Sequence, residues 1–209
     1  SLCRMTIEGF SSLGVTSATP CLPFSRNRNG INIGEGAAFF ILSKERSDIL
    51  LAGVGETSDA HHISSPDPEG NGAIAAMRQA LEKANMTSDQ VGYLNLHGTA
   101  TLQNDAMEAK AVAEVFGDKL PCGSTKGLTG HTLAAAGALE ALFCIMTLRR
   151  SDRRLPMHVW DGAENSDFKE LLKEKEISED QKRRLLVFAG KCPVAKMVKG
   201  ETKIITTIQ

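Results

Sequence analysis

The sequence predicts an α/β fold, a buried sheet whose strands alternate with helices, and three observations carry that prediction. Val91–Leu96 is a short, mostly apolar run of strand length, and Pro121–Thr125 is a second. A helical stretch separates them. His131–Leu148 then combines Ala134, Ala135, Ala136, Gly137, Ala138 and Ala141 with Leu133, Leu139, Leu142, Phe143, Ile145 and Met146. That composition is apolar nearly all round, which suggests full burial rather than one packed face.

The elements follow in chain order. Residues 1–19 read as a helix end and a turn-rich loop. Between residues 20 and 43 the chain turns from polar to apolar through a Gly-rich middle, which predicts a tight turn feeding a strand over Ala37–Leu42. Residues 49–57 read as the strand paired with it. Residues 58–70 hold two Pro, two His, Asp, Ser and Gly, a loop composition. Gly72–Ala84 places Ile74, Met77, Ala80, Leu81 and Ala84 at helical spacing. The helix after the first strand opens with Asn104, Asp105 and Glu108, which suggests a capping box, and Gly117 is its stop. Residues 161–184 are charged and helix-favouring. Leu185–Ala189 and Thr202–Ile208 suit two strands of a terminal hairpin.

Composition narrows the function. With 209 residues the chain is long enough to bury a core. A formal net charge of −1 argues against a nucleic-acid or anionic-membrane surface. No charge-free apolar run reaches bilayer length, and the start lacks a signal-peptide pattern. Five scattered cysteines, none at CxxC spacing, suit reduced thiols in a cytoplasmic protein without a structural zinc.

The polar residues worth weighing sit where strands end and a helix begins, the usual place for chemistry in such folds. The first strand stops at His97-Gly98-Thr99. The second stops at Lys126, and a Gly-flanked turn then delivers His131. Glu140 is the lone carboxylate in the apolar helix and needs a cation, for which Lys126 is the candidate. Thr99 and Thr101 carry hydroxyls beside His97. Asp105 and Glu108 read as structural. His61 and His62, near Asp59, are adjacent loop histidines, which point apart more often than they chelate, so no metal is expected. GSTKGLTG lacks the Gly-Lys-Ser/Thr order of a phosphate loop.

Four stretches, in order, carry a family resemblance: PFSRNRNGINIGEGAAFFIL, TSDAHHISSPDPEG, LHGTATLQNDAMEAKAV and GSTKGLTGHTLAAAGALEAL. Together they resemble the C-terminal half of β-ketoacyl-acyl-carrier-protein synthases, condensing enzymes of the thiolase fold. The likeness covers residues 4 to 160. It implies a thiolase-like C-terminal half over 1–160, with a mixed sheet packed on a buried small-residue helix. Residues 161–209 then form a divergent charged tail. The chain departs from the family pattern at Asn29, where the family has aspartate, and at Ala100, where it has a hydroxyl residue. It also lacks the family's late Gly-Phe-Gly-Gly-Thr-Asn loop. The family's nucleophilic cysteine belongs to its N-terminal half, and none of Cys3, Cys21, Cys122, Cys144 or Cys192 has that small-residue context.

The resemblance implies decarboxylative Claisen condensation of malonyl-carrier protein with a cysteine-bound acyl chain. His97 and His131 would stabilise the enolate as neutral donors, and Lys126 would assist. Glu140 and Glu108 would support them, and Thr99 and Thr101 would bind the phosphopantetheine arm. No cofactor beyond the carrier's own pantetheine is implied. The expected partners are an acyl carrier protein and the N-terminal half, with a homodimer or heterodimer when complete. The fragment by itself is expected to be inactive. A non-catalytic remnant or partner subunit that binds the carrier is the rival. A thiolase fits less well, because Cys192 is followed by Pro193-Val194 rather than by the family's Cys-x-Gly turn.

Overall fold

The computed structural model describes residues 2–45, 47–62, 64–152 and 154–164, together with the backbone of 185–187. Its order is α1 (Arg4–Ser12), α2 (Asn71–Ala84), β1 (Tyr93–Asn95), α3 (Leu102–Phe116), β2 (Cys122–Gly123), α4 (Lys126–Thr129), α5 (Ala136–Arg149) and β3 (Leu185–Val187). The strands form one sheet, β2-β1-β3, and both pairings are parallel. β1 lies in the middle, with Leu94 opposite Cys122 and Leu186. A central parallel strand is covered on both faces, which accounts for the full burial of Tyr93, Leu94 and Asn95.

The core lies between this sheet and helices α2 and α3. Met77 and Leu81 of α2 meet Met107, Ala111 and Val112 of α3, with Leu94 and Leu96 of the first strand run and Phe24 from the N-terminal loop. The helical spacing read in residues 72–84 is the face that makes this contact. Helix α3 stops at Gly117, whose φ of +69° suits glycine.

Three expectations are revised. The cap of α3 is Thr101, whose hydroxyl accepts from the Asn104 amide at 3.4 Å, so Asn104, Asp105 and Glu108 form no capping box. Helix α5 buries one stripe, Ala136, Glu140, Cys144 and Thr147, rather than its whole circumference; Met146 is exposed. The predicted strands at Ala37–Leu42 and 49–57 are not formed and pair with no strand among the described residues. The second of them lies along α2 instead. A Cβ at Gly55 would fall 1.7 Å from the Ala76 carbonyl oxygen, and one at Gly53 would fall 2.2 Å from that of Ala80. Glycine at both positions lets backbone rest on backbone. The predicted strand at Leu185–Ala189 is present as β3, parallel to β1. The charged stretch beyond residue 164 and the strand at Thr202–Ile208 lie outside the described residues.

Candidate active site

The two chain ends at the C-terminal edge of β1 and β2 bring the sequence-nominated residues together. The His97 and His131 rings are perpendicular, with centroids 5.0 Å apart and an interplanar angle of 85°. Lys126 Nζ lies 3.2 Å from His97 Nδ1 and is ion-paired with Glu140 Oε1. Both members of the pair are buried.

The hydrogen bonds decide which face each ring offers. An ammonium can only donate, so His97 Nδ1 accepts from Lys126 and the ring hydrogen sits on Nε2. His131 Nδ1 accepts from the Leu133 amide at 3.0 Å, with the same consequence. Two neutral imidazoles therefore each present an Nε2–H donor. Burial holds His97 far below the ordinary imidazole range, reinforced by the charge of Lys126 and then by His131. Burial and Lys126 lower His131 to about 4. For His131 loss of water is the larger cause, and a short 3₁₀ turn, Leu133–Ala135, separates the residue from the start of α5.

Carboxylates of α3 shape the turn beneath. Glu108 accepts from the His97 amide at 2.6 Å and the Gly98 amide at 2.8 Å. Burial raises its carboxyl to about 7, with the Gly98 amide pulling the other way. Asp105 accepts from Ala100 at 3.2 Å and, across the chain, from the Phe24 amide at 2.7 Å. Burial raises Asp105 to about 6. Ala100 and Phe24 both have a φ of +62°, an uncommon conformation for residues with a Cβ, and Asp105 holds both in place. Asn104 Nδ2 reaches both carboxylates, 3.2 Å to Asp105 Oδ1 and 3.3 Å to Glu108 Oε2.

Thr99 and Thr101 sit on the same loop with their hydroxyls 3.0 Å apart. His61 and His62 are not at the imidazole pair. With Pro66 and Pro68 they border a cavity of about 380 Å³ beside Gln103 and Met107 of α3. The buried thiols are held protonated: burial raises Cys21, which donates to the Lys126 carbonyl, and brings Cys144 to about 12. Sequence reading gave Asp105 too small a part and passed over Ser124, whose hydroxyl donates to the Gly98 carbonyl at 3.0 Å. A charge on the buried face of α3 was the legible sign for Asp105; a serine two places before Lys126 carries no such sign.

Two neutral N–H donors side by side in a largely desolvated notch are suited to negative charge that develops on an oxygen during reaction. Known proteins place the chain in a family. The family profile described as beta-ketoacyl synthase, C-terminal domain, matches residues 49–157. The 3-oxoacyl-[acyl-carrier-protein] synthase 2 of Staphylococcus aureus is 37% identical over 164 residues, 71% of this chain and 41% of that protein. The mitochondrial 3-oxoacyl-[acyl-carrier-protein] synthase of Arabidopsis thaliana is 39% identical over 150 residues, 66% of this chain and 32% of that protein. Among solved structures, the ketosynthase ApeO, in complex with its chain length factor ApeC from Xenorhabdus doucetiae, matches with a TM-score of 0.74 at 44% identity. That match covers 86% of this chain and 45% of that one. A β-ketoacyl synthase from Burkholderia phymatum matches at a TM-score of 0.70 and 28% identity, over 90% of this chain and 48% of that one. The chain spans less than half the length of these relatives. It belongs to the β-ketoacyl synthase family, with the thiolase-like α/β fold, and corresponds to the family's C-terminal domain.

Proposed function

We propose that this chain supplies the enolate-stabilising half of a 3-oxoacyl-acyl-carrier-protein synthase site. The observation that carries the reading is the fixed pair of Nε2–H donors on His97 and His131. Malonyl thioester loses its carboxylate as carbon dioxide, and the electron pair left behind delocalises onto the thioester oxygen. His97 and His131 donate to that oxygen, and their neutrality lets them do so without surrendering the proton. The enolate carbon then attacks an acyl thioester, and the thiolate that held the acyl chain leaves. In this reading the acyl-bearing thiolate comes from the portion of the relatives' length that the chain does not span. Lys126 fixes the His97 tautomer and keeps positive charge nearby, and Glu140 holds Lys126. Glu108 sets the His97 turn.

In this reading Thr99 and Thr101, on the loop that follows His97, receive the pantetheine arm, and the partner is an acyl carrier protein. The arm belongs to that carrier, and the reading assigns the chemistry to side chains alone. The named relatives are 3-oxoacyl-[acyl-carrier-protein] synthases, which supports this choice. Among the described residues no helix is long and apolar enough to cross a membrane.

The test is carbon dioxide release from malonyl-carrier protein, measured with this chain joined to the N-terminal half of a 3-oxoacyl-acyl-carrier-protein synthase. Lys126→Ala should abolish release, and His97→Ala or His131→Ala should slow it by about 10²–10³-fold, the usual loss for one oxyanion donor. Undiminished release in all three variants would leave the non-catalytic carrier-binding subunit as the better reading.

A further inference from the structure

We propose that Ser124, held from behind by His158, is a positioning residue that sets the separation of the two imidazoles; this rests on the reading of His97 and His131 as paired donors. Ser124 is fully buried between the two loops that carry them. Its hydroxyl donates to the Gly98 carbonyl at 3.0 Å and accepts from the Lys126 amide at 3.3 Å. One side chain thereby joins the turn after β1 to the turn after β2. The joint is tight as well as bonded. A Cβ built on Gly98, whose φ is +42°, would lie 2.5 Å from Ser124 Cβ and 2.7 Å from its hydroxyl. Gly98 and Ser124 are therefore in direct contact, and a change in one loop is passed to the other.

His158 closes the back of this joint. Its Nδ1 lies 3.2 Å from both the Ser124 amide and the Ser124 carbonyl, so either neutral tautomer can hold the Ser124 backbone. Its Nε2 is buried with no hydrogen-bond partner among the described residues. An orphaned ring nitrogen costs stability, so its own bonding does not explain a histidine here. What the ring does is hold Ser124 in register at the end of β2. Sequence alone singled out neither residue: Ser124 lies inside GSTKGLTG, where attention falls on Lys126, and His158 lies in no recognisable pattern.

The experiment reads the rings directly and needs no turnover, so its outcome is independent of whether the proposed condensation is correct. Histidine-labelled full chain is studied by NMR as wild type, Ser124→Ala, His158→Ala and Thr147→Ala. The last removes a buried hydroxyl that, among the described residues, donates within α5 to the Phe143 carbonyl. Wild type should give a cross-peak between the His97 and His131 rings. Ser124→Ala should weaken that cross-peak several-fold and move the His97 titration toward the ordinary imidazole value. His158→Ala should do the same to a smaller extent, and Thr147→Ala should do neither. An unchanged cross-peak and titration in Ser124→Ala overturns the proposal. If Ser124→Ala does not fold, His158→Ala decides: wild-type ring signals in that variant overturn it equally.

Discussion

The run Val91–Leu96 with the turn that follows it and the run from Ala37 to Leu42 both contain apolar stretches that read as strands, yet they end in opposite conditions. In the first, the amides of His97, Gly98 and Ala100 all reach buried carboxylates of α3, and Leu94 and Leu96 are completely buried. In the second, Phe39 is 95% exposed and Ile41 is 98% exposed, and no strand pairs with them among the described residues. The difference teaches what each segment's conformation depends on. The histidine turn is specified by contacts inside this chain, whereas the outer run has apolar, strand-like chemistry with no strand paired to it among the described residues.

The comparison breaks first at the Lys126–Glu140 pair. Glu140→Ala leaves a buried ammonium without its acid, and removing one member of such a pair costs about 3–5 kcal/mol. Urea unfolding measures the loss; a change below 1 kcal/mol would mean that the pair is wet and that the site is not self-specified. Next comes Glu108→Ala, which strands two buried amides and should cost about 1–3 kcal/mol. Glu108→Gln keeps one acceptor and should recover part of that loss.

A third test uses acid. Asp105 and Glu108 have raised values, about 6 and about 7, so the folded state holds protons there that the unfolded chain has released. Their stabilising contribution is complete below the unfolded values and is lost as pH rises to 6 and 7. His97 and His131 are lowered, so their contribution is present above the ordinary imidazole value and is lost as pH falls, for His131 toward 4. Between pH 4.5 and 6 the two slopes oppose, and stability should change little. Glu108→Gln removes one of the opposing carboxyls. Its stability should then fall on acidification by about 1.4 kcal/mol per pH unit, the slope of one proton. A flat profile in that variant contradicts the linkage.

The smallest effect belongs to the outer run. Phe39→Lys and Ile41→Lys should change stability by no more than about 0.5 kcal/mol, as surface substitutions do. A loss of several kcal/mol would show that the run packs within this chain after all, and the contrast would collapse.

These regions also explain what could be read ahead of the structure. The Lys126–Glu140 pair was legible because one acid in an apolar helix has few ways to be satisfied. The strand–turn positions of His97 and Lys126 followed from short apolar runs and their stops. The cap of α3 was misread because acids in a first turn imitate a capping box, while Asp105 is bonded to Phe24, 81 positions away. The circumference of α5 was misread because composition reports how apolar a helix is, and only packing decides which side meets the sheet. The apolar run over residues 37–42 suits a strand and says nothing about a neighbour.

Asp105 ties Ala100 and Phe24 to a single carboxylate. Two stretches far apart in sequence thus share one latch, and neither can loosen alone without leaving that oxygen pair half-filled. Deuterium should consequently enter both amides at a common rate, set by one opening event. The N-terminal loop and the histidine turn would then breathe as one body, though a long length of chain separates them.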